Sequence, residues 1–475
     1  MAVPLRNPSA PGYGEDYNSR TDFRAMSMAT TLMFMVGFLT CLNDVIIPHL
    51  KSIFELSYTE AMLVQFAFFT SYFVFSYPGG MLVDKYGYKK TMVAGLLVMA
   101  AGAAGFVPAS YFAVYIIFLG ALIILAAGMT IVQVSVNPYV TVIGPANTAS
   151  SRLVLAQAFN SVGTFIAPII GARFILRGIG QMEPNKLHSL SAAALQSYRE
   201  VQASSVRMPY IGMAAVLVLL AAALAAIKLK TTTGVSQHTQ DFRPGAFAEA
   251  LDTSQSIWSK PWLIGGALGI FTYVGAEVSI GSLLVNYMGE KSIANLPENQ
   301  AAQYLMVYWG GAMLGRFVGS ALLQKIKTGL LLGIVAIVAL GLVITSMNSH
   351  SFTGVYGTTK IFGYVGGLAE TLVPHSLAMW ALLAVGFCNS VMFPSIFTMG
   401  IQDLGSLTSK GSSLMIAAIV GGAIIPLAVG KLADLHGPQH ALILPILCYI
   451  YIGFYGLANL RRPPAHDGLV ALSQE

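Results

Sequence analysis

The chain has 475 residues, of which 55% are hydrophobic and only 10% charged. A water-soluble globular chain carries roughly 25% charged residues, so water is excluded as the main solvent. The formal charge of +6 comes from basic residues scattered at the ends of apolar runs, with no continuous basic patch, which excludes nucleic acid as a partner.

The first 26 residues are polar and carry Pro4, Pro11, Glu15 and Asp16. They lack the short apolar core of a signal peptide and are expected to form a cytoplasmic tail. A bilayer core about 30 Å thick needs about 20 apolar residues per helix. Runs that meet this fall near 27–50, 60–83, 91–108, 111–142, 151–177 and 209–228, then near 261–288, 301–324, 329–347, 373–402, 411–434 and 438–460. The expected architecture is an all-α polytopic membrane protein with twelve transmembrane helices in two bundles of six, 27–228 and 261–460. A polar cytoplasmic linker, 229–260, separates them, and a second tail covers 461–475. Two further connections are long, Arg177 to Pro209 and Ser349 to Pro374, and are read as loops. Most of the 26 basic residues, including Arg24, Lys85, Lys89, Lys90, Lys325 and Arg461, fall on one side of this arrangement. The positive-inside rule then places both termini in the cytoplasm. Cys41, Cys388 and Cys448 lie singly in apolar runs and make no disulfide or metal pattern.

The two halves repeat each other. Pro138 and Gly144 in the fourth span match Pro394 and Gly400 in the tenth, and Gly163 and Pro168 in the fifth match Gly421 and Pro426 in the eleventh. Duplicated six-helix units of this kind pack around a midplane site and rock to expose it alternately. After the second span comes Gly80-Met81-Leu82-Val83-Asp84-Lys85-Tyr86-Gly87-Tyr88-Lys89-Lys90. Every fixed position resembles the loop signature of the major facilitator superfamily. Glycines at 80 and 87 permit a tight turn, and Asp84 can pair with basic groups at neighbouring helix ends. The resemblance implies that Gly80, Asp84, Lys85, Gly87, Lys89 and Lys90 form a latch holding the outward-open state, with Arg316 at the end of the eighth span as a partner.

Several stretches narrow the family. Leu42-Asn43-Asp44-Val45-Ile46-Ile47-Pro48-His49-Leu50-Lys51, Leu155-Ala156-Gln157-Ala158-Phe159-Asn160-Ser161 and Gly315-Arg316-Phe317 resemble the fucose–proton symporter family. Tyr273-Val274-Gly275-Ala276-Glu277-Val278, Asn389-Ser390-Val391-Met392-Phe393-Pro394 and Gly421-Gly422-Ala423-Ile424-Ile425-Pro426 look like its bacterial glucose/galactose branch, which N-acetylglucosamine permeases share. The family's fucose members carry a Glu four residues before the Asn-Pro pair. Here the position is Gln133, whose amide takes no proton, so half of that coupling scheme is not carried over. Val36 stands where relatives often have Trp, so an aromatic wall is expected elsewhere, at Trp309 or Phe38.

Two carboxylates, Asp44 and Glu277, remain inside predicted spans, where a charge costs at least about 2.5–3.5 kcal/mol. They are the candidate ion-coupling groups, Asp44 foremost. Amides suit sugar hydroxyls because each offers an acceptor and two donors. Gln65, Gln133, Asn137, Gln157, Asn160, Asn286 and Asn389 are therefore candidate sugar contacts, and Gln157 and Asn160 share one helix face. The expected function is secondary active import of a hexose of the glucose/galactose type, coupled to protons. The alternatives are a sodium-coupled hexose or N-acetylglucosamine symporter, an uncoupled facilitator, and, ranked lower, a non-transporting sensor. No nucleotide loop, hydrolytic triad or metal spacing is present, so neither an enzyme nor a cofactor is expected beyond H⁺ or Na⁺. The partners expected are a small sugar and lipid, with the chain working as a monomer in a bacterial inner membrane.

Overall fold

Within lipid a backbone must satisfy its own hydrogen bonds, so long apolar runs become helices. The computed structural model of the chain describes residues 21–54, 58–174, 191–204, 206–227, 256–349, 355–363 and 367–462. Its first half holds helices α1 (Phe23–Phe54), α2 (Tyr58–Phe112), α3 (Tyr115–Val142), α4 (Ala149–Phe174), α5 (Ala192–Ser204) and α6 (Arg207–Ala226). Its second half holds α7 (Pro261–Gly289), α8 (Glu298–Leu322), α9 (Thr328–Asn348), strands β1 (Val355–Gly363) and β2 (Gly367–Pro374), and helices α10 (Leu377–Asn389), α11 (Met392–Ile401), α12 (Thr408–Ala417), α13 (Gly421–His436), α14 (Pro438–Ala441) and α15 (Ile443–Asn459). Among the described residues nine helical segments are long and apolar enough to cross a membrane. The predicted spans near 151–177 and 301–324 are also helical, as α4 and α8. Expectations for the tails and the linker fall largely outside the described residues.

Helix α2 takes up two predicted spans and turns at Gly87, where φ is 77° and ψ 169°. A side chain is disfavoured at that φ, so the second glycine of the motif makes the turn. Both long connections hold secondary structure that the search for apolar runs cannot detect. Residues 192–204 form α5, its first turn capped by Ser191 Oγ accepting from Ala194 N at 3.3 Å. Residues 355–374 form an antiparallel hairpin with Thr359 opposite Thr371. The β-branched and aromatic run Val355-Tyr356-Gly357-Thr358-Thr359-Lys360-Ile361-Phe362 favours that pleated conformation.

In the first half α2 packs on α3 and α6, and α1 on α4; in the second, α9 packs on α10 and α15, and α7 on α11, α13 and α15. The repeat is visible in atomic contacts. A Cβ on Gly163 would overlap the Phe34 carbonyl of α1, and a Cβ on the matching Gly421 would overlap the Phe271 carbonyl of α7. In each half a glycine at the matching position therefore brings two helices into backbone contact. Arg152 ties the end of α3 to the start of α4. Its guanidinium donates to the carbonyls of Val140 at 3.0 Å, Thr141 at 2.7 Å, Gly144 at 3.2 Å and Pro145 at 2.8 Å, and to Thr148 Oγ1 at 2.7 Å. It thereby satisfies carbonyls left open where α3 stops.

Candidate functional site

The halves meet at the end of the bundle that carries the Asp84 turn. Hydroxyls at the start of α4 reach the second half. Ser150 Oγ lies 2.7 Å from Thr398 Oγ1 and accepts from Thr328 Oγ1 at 2.9 Å. Ser151 Oγ donates to the Ser320 carbonyl at 2.7 Å, and Ser320 Oγ donates back to the Ser151 carbonyl at 3.0 Å. The matching hydroxyls of α12 reach the first half: Ser409 Oγ donates to the Gly80 carbonyl and Ser412 Oγ to the Val134 carbonyl, at 2.8 and 2.9 Å. Gly80 has no room for a Cβ beside Ser413 Oγ, and Asp84 lies next to Ser409 and Lys410. This end of the bundle is shut.

The remaining motif cations stay within their own half. Lys89 Nζ caps the Ala225 carbonyl of α6 at 2.9 Å, and Lys85 sits 5.2 Å from the Tyr86 ring centroid; Lys90 is exposed. Arg316 does join the halves, but deeper in the bundle than the expected latch position. Its Nη1 donates to the Gln157 carbonyl at 3.0 Å and to Ser161 Oγ.

From Arg316 a line of polar groups crosses between the halves. On the first-half side Gln157 Nε2 donates to Asn137 Oδ1 at 3.3 Å, and Asn160 Nδ2 to the Met33 carbonyl at 3.0 Å. One turn from Asn137, Gln133 Nε2 donates to Tyr72 OH at 2.8 Å, which fixes which way that amide faces. On the other side the Arg316 charge acts on Glu277, and Tyr273, one turn away on α7, acts on it too. Three buried atoms on this line have no hydrogen-bond partner, Asn137 Nδ2, Arg316 Nε and Glu277 Oε1, and Tyr273 OH has only the Glu277 carboxylate beside it. Buried polar atoms are ordinarily paired. Two donors, one acceptor and one hydroxyl that does either form a set complementary to a polyhydroxyl ligand.

Not every candidate joins this line. The side chains of Asp44 and Gln65 lie outside the described residues. Asn286 is exposed. Asn389, expected to contact sugar, instead bonds within the second half, through Nδ2 to Tyr308 OH at 2.9 Å and Oδ1 from Tyr449 OH at 2.8 Å. Trp309 is half-buried, edge-on to Tyr308 at 5.1 Å between centroids and packed over Gly281. Phe38 is buried and stacks on Phe34 at 6.2 Å. Sequence reasoning missed Tyr72 and Tyr273. The spacing of Tyr273 four residues before Glu277 was a usable signal, since it puts both on one face of α7. Tyr72 meets Gln133 only through tertiary packing. Aromatic rings that went unnoticed also gather near the interface, with Phe68 5.4 Å from Tyr72, Phe69 against Gly422, and Phe393 6.5 Å from Tyr273.

The family model described as Major Facilitator Superfamily matches residues 28–375. A curated glucose/galactose transporter of Brucella abortus biovar 1 (strain 9-941) is 42% identical over 460 residues, covering 97% of this chain and 99% of that one. The L-fucose-proton symporter of Escherichia coli (strain K12) is 32% identical over 435 residues, covering 91% and 92%. Among solved structures, a crystal structure of a major facilitator superfamily transporter, FucP, in the outward conformation superposes with a TM-score of 0.78 at 30% identity. It covers 91% of this chain and 98% of its own. The helices, the motif turn and these matches agree: the chain belongs to the major facilitator superfamily and is a multi-pass membrane protein.

Proposed function

We propose that this protein is a secondary active transporter that imports a hexose of the glucose/galactose type by alternating access, driven by a proton gradient. The carrying observation is the row of unpartnered buried atoms, Asn137 Nδ2, Arg316 Nε and Glu277 Oε1, with Tyr273 OH beside the last, lying between two halves that are shut at one end. The relatives named for glucose and galactose support the sugar class, and the relative named as a proton symporter supports the ion.

In this reading the shut end faces the cytoplasm of a bacterium, both termini lie there, and the membrane is the inner one. A hexose enters from the other side. Its hydroxyls take Asn137 Nδ2 and the free groups of Gln133, Gln157 and Asn160 on the first half, and Glu277 and Tyr273 on the second. Binding both halves favours their rearrangement, because a ligand shifts an equilibrium only through contacts that differ between the states. Asp44 carries the coupling proton, and Glu277, beside Arg316, joins it. Asp84, with Ser409 and Lys410, latches the cytoplasmic end until the halves rock.

The test is uptake of labelled glucose into proteoliposomes under an imposed proton gradient, with a sodium gradient as a separate arm. Unlabelled galactose, N-acetylglucosamine and fucose serve as competitors. Accumulation under the proton gradient, blocked by galactose, is expected. Equilibration without accumulation under either gradient would make the protein a facilitator, and failure of every hexose to enter or compete would overturn the substrate class.

A further inference from the structure

Three helices behind the site are joined to it by a chain of buried hydrogen bonds. Tyr449 OH of α15 donates to Asn389 Oδ1 of α10 at 2.8 Å, Asn389 Nδ2 donates to Tyr308 OH of α8 at 2.9 Å, and Tyr308 OH donates to the backbone carbonyl of Glu277 in α7 at 3.3 Å. Tyr449, Asn389 and Tyr308 are between 0% and 1% exposed, so water does not compete for these bonds. Every donor points the same way, towards α7, so each bond polarises the next. The chain ends on the residue whose carboxylate Oε1 is left without a partner. Packing backs it at the same level. The Tyr308 carbonyl fills the space that a side chain at Gly386 would need, and Trp309 packs over Gly281, one turn beyond Glu277.

We infer that Tyr449 is a positioning residue for Glu277: acting through Asn389 and Tyr308, it fixes the rotation of α7 about its axis and so aims the Glu277 carboxylate at the bound sugar. This rests on the proposed reading of Glu277 as a sugar contact. The ring of Tyr449 contributes packing, whereas the aim depends on its hydroxyl. Removing that hydroxyl leaves Asn389 Oδ1 without its donor in a dry setting, where an unmet acceptor is costly, and the amide is then free to turn away from Tyr308.

The test is equilibrium binding of labelled glucose to the solubilised full chain, for Tyr449→Phe, Glu277→Gln and the double variant. Tyr455→Phe is the control, because Tyr455 OH joins the same two helices, at the Trp262 carbonyl 3.0 Å away, far along α7 from Glu277. The expected result is a Kd raised about fivefold to tenfold by Tyr449→Phe, no change with Tyr455→Phe, and no further loss when Tyr449→Phe is added to Glu277→Gln, because residues acting through one another are not additive. Tyr308→Phe breaks the same chain one link later and gives the same pattern, so it carries the test if Tyr449→Phe fails to fold. An unchanged Kd in Tyr449→Phe, or an equal loss with and without Glu277, would overturn the positioning role while leaving Glu277 as a sugar contact. A normal Kd in Glu277→Gln would instead remove the reading on which the inference stands, and absence of glucose binding by the unsubstituted protein would remove both.

Discussion

Replacing Ser151 by Ala should open the shut end of the bundle. Ser151 and Ser320 belong to different halves and exchange two hydrogen bonds, at 2.7 and 3.0 Å. When the halves separate at that end the bonds are lost, so they stabilise one conformation only. A typical hydrogen bond contributes about 1 kcal/mol net. Ser151→Ala removes the one that its hydroxyl donates and should raise the ratio of open to closed molecules about fivefold. The double variant Ser151→Ala/Ser320→Ala removes both bonds, about 2 kcal/mol, and should raise the ratio about thirtyfold. Pulsed electron spin resonance between labels at Arg24 and Lys325, exposed positions on opposite halves, reports the two populations as two distances. Distance distributions that stay the same in the double variant would refute the idea that these hydroxyls hold the end closed.

Five other substitutions test separate parts of the reading. Asp44→Asn should abolish accumulation of labelled glucose under a proton gradient while leaving equilibration across the membrane intact; retained accumulation would remove Asp44 from coupling. Gln157→Ala, which takes away the bond to Asn137 and any contact with the sugar, should raise the Kd for glucose about tenfold, a loss of about 1.4 kcal/mol, as read by equilibrium binding. Gly421→Ala drives a methyl into the Phe271 carbonyl and should cost about 1–3 kcal/mol, whereas Gly430→Ala, with nothing within 4 Å, should stay within about 0.5 kcal/mol; thermal unfolding in detergent distinguishes them. Arg152→Lys keeps the charge but cannot reproduce the planar fork that reaches four carbonyls, so it should lower the melting midpoint by the equivalent of about 2–3 kcal/mol.

The spans could be read from the chain because lipid imposes one requirement, length of apolar sequence, and the helices obey it. The motif turn was legible for a similar reason: the positive φ at Gly87 calls for glycine whatever surrounds it. Gly163 and Gly421 announced themselves by repeating, and their matching contacts with Phe34 and Phe271 give that repetition a physical cause. The site was legible only in part. Gln133, Asn137, Gln157 and Asn160 stood out as amides in apolar surroundings, but that signal says nothing about direction. Asn389 carries the same signal and bonds to Tyr308 and Tyr449 within its own half. Arg316 looked like a surface cation because it lies near the end of a span, yet its long side chain reaches Gln157 and Ser161 on the other half. Tyrosines were hidden because an aromatic ring in a membrane helix is unremarkable until its hydroxyl meets a partner from another helix.

The hydroxyl contacts between α4 and the second half, and between α12 and the first, carry no net charge. Mobile ions screen charges over about 8 Å at physiological strength but leave neutral pairs of this kind almost untouched. Of the interactions described between the halves at the shut end, only the charge attraction of Asp84 and Lys410 is left to weaken as salt rises. The hold on this closed end is therefore set largely apart from the ionic strength around it. A cell that concentrates or dilutes its contents would change the driving gradient without resetting the machine that uses it.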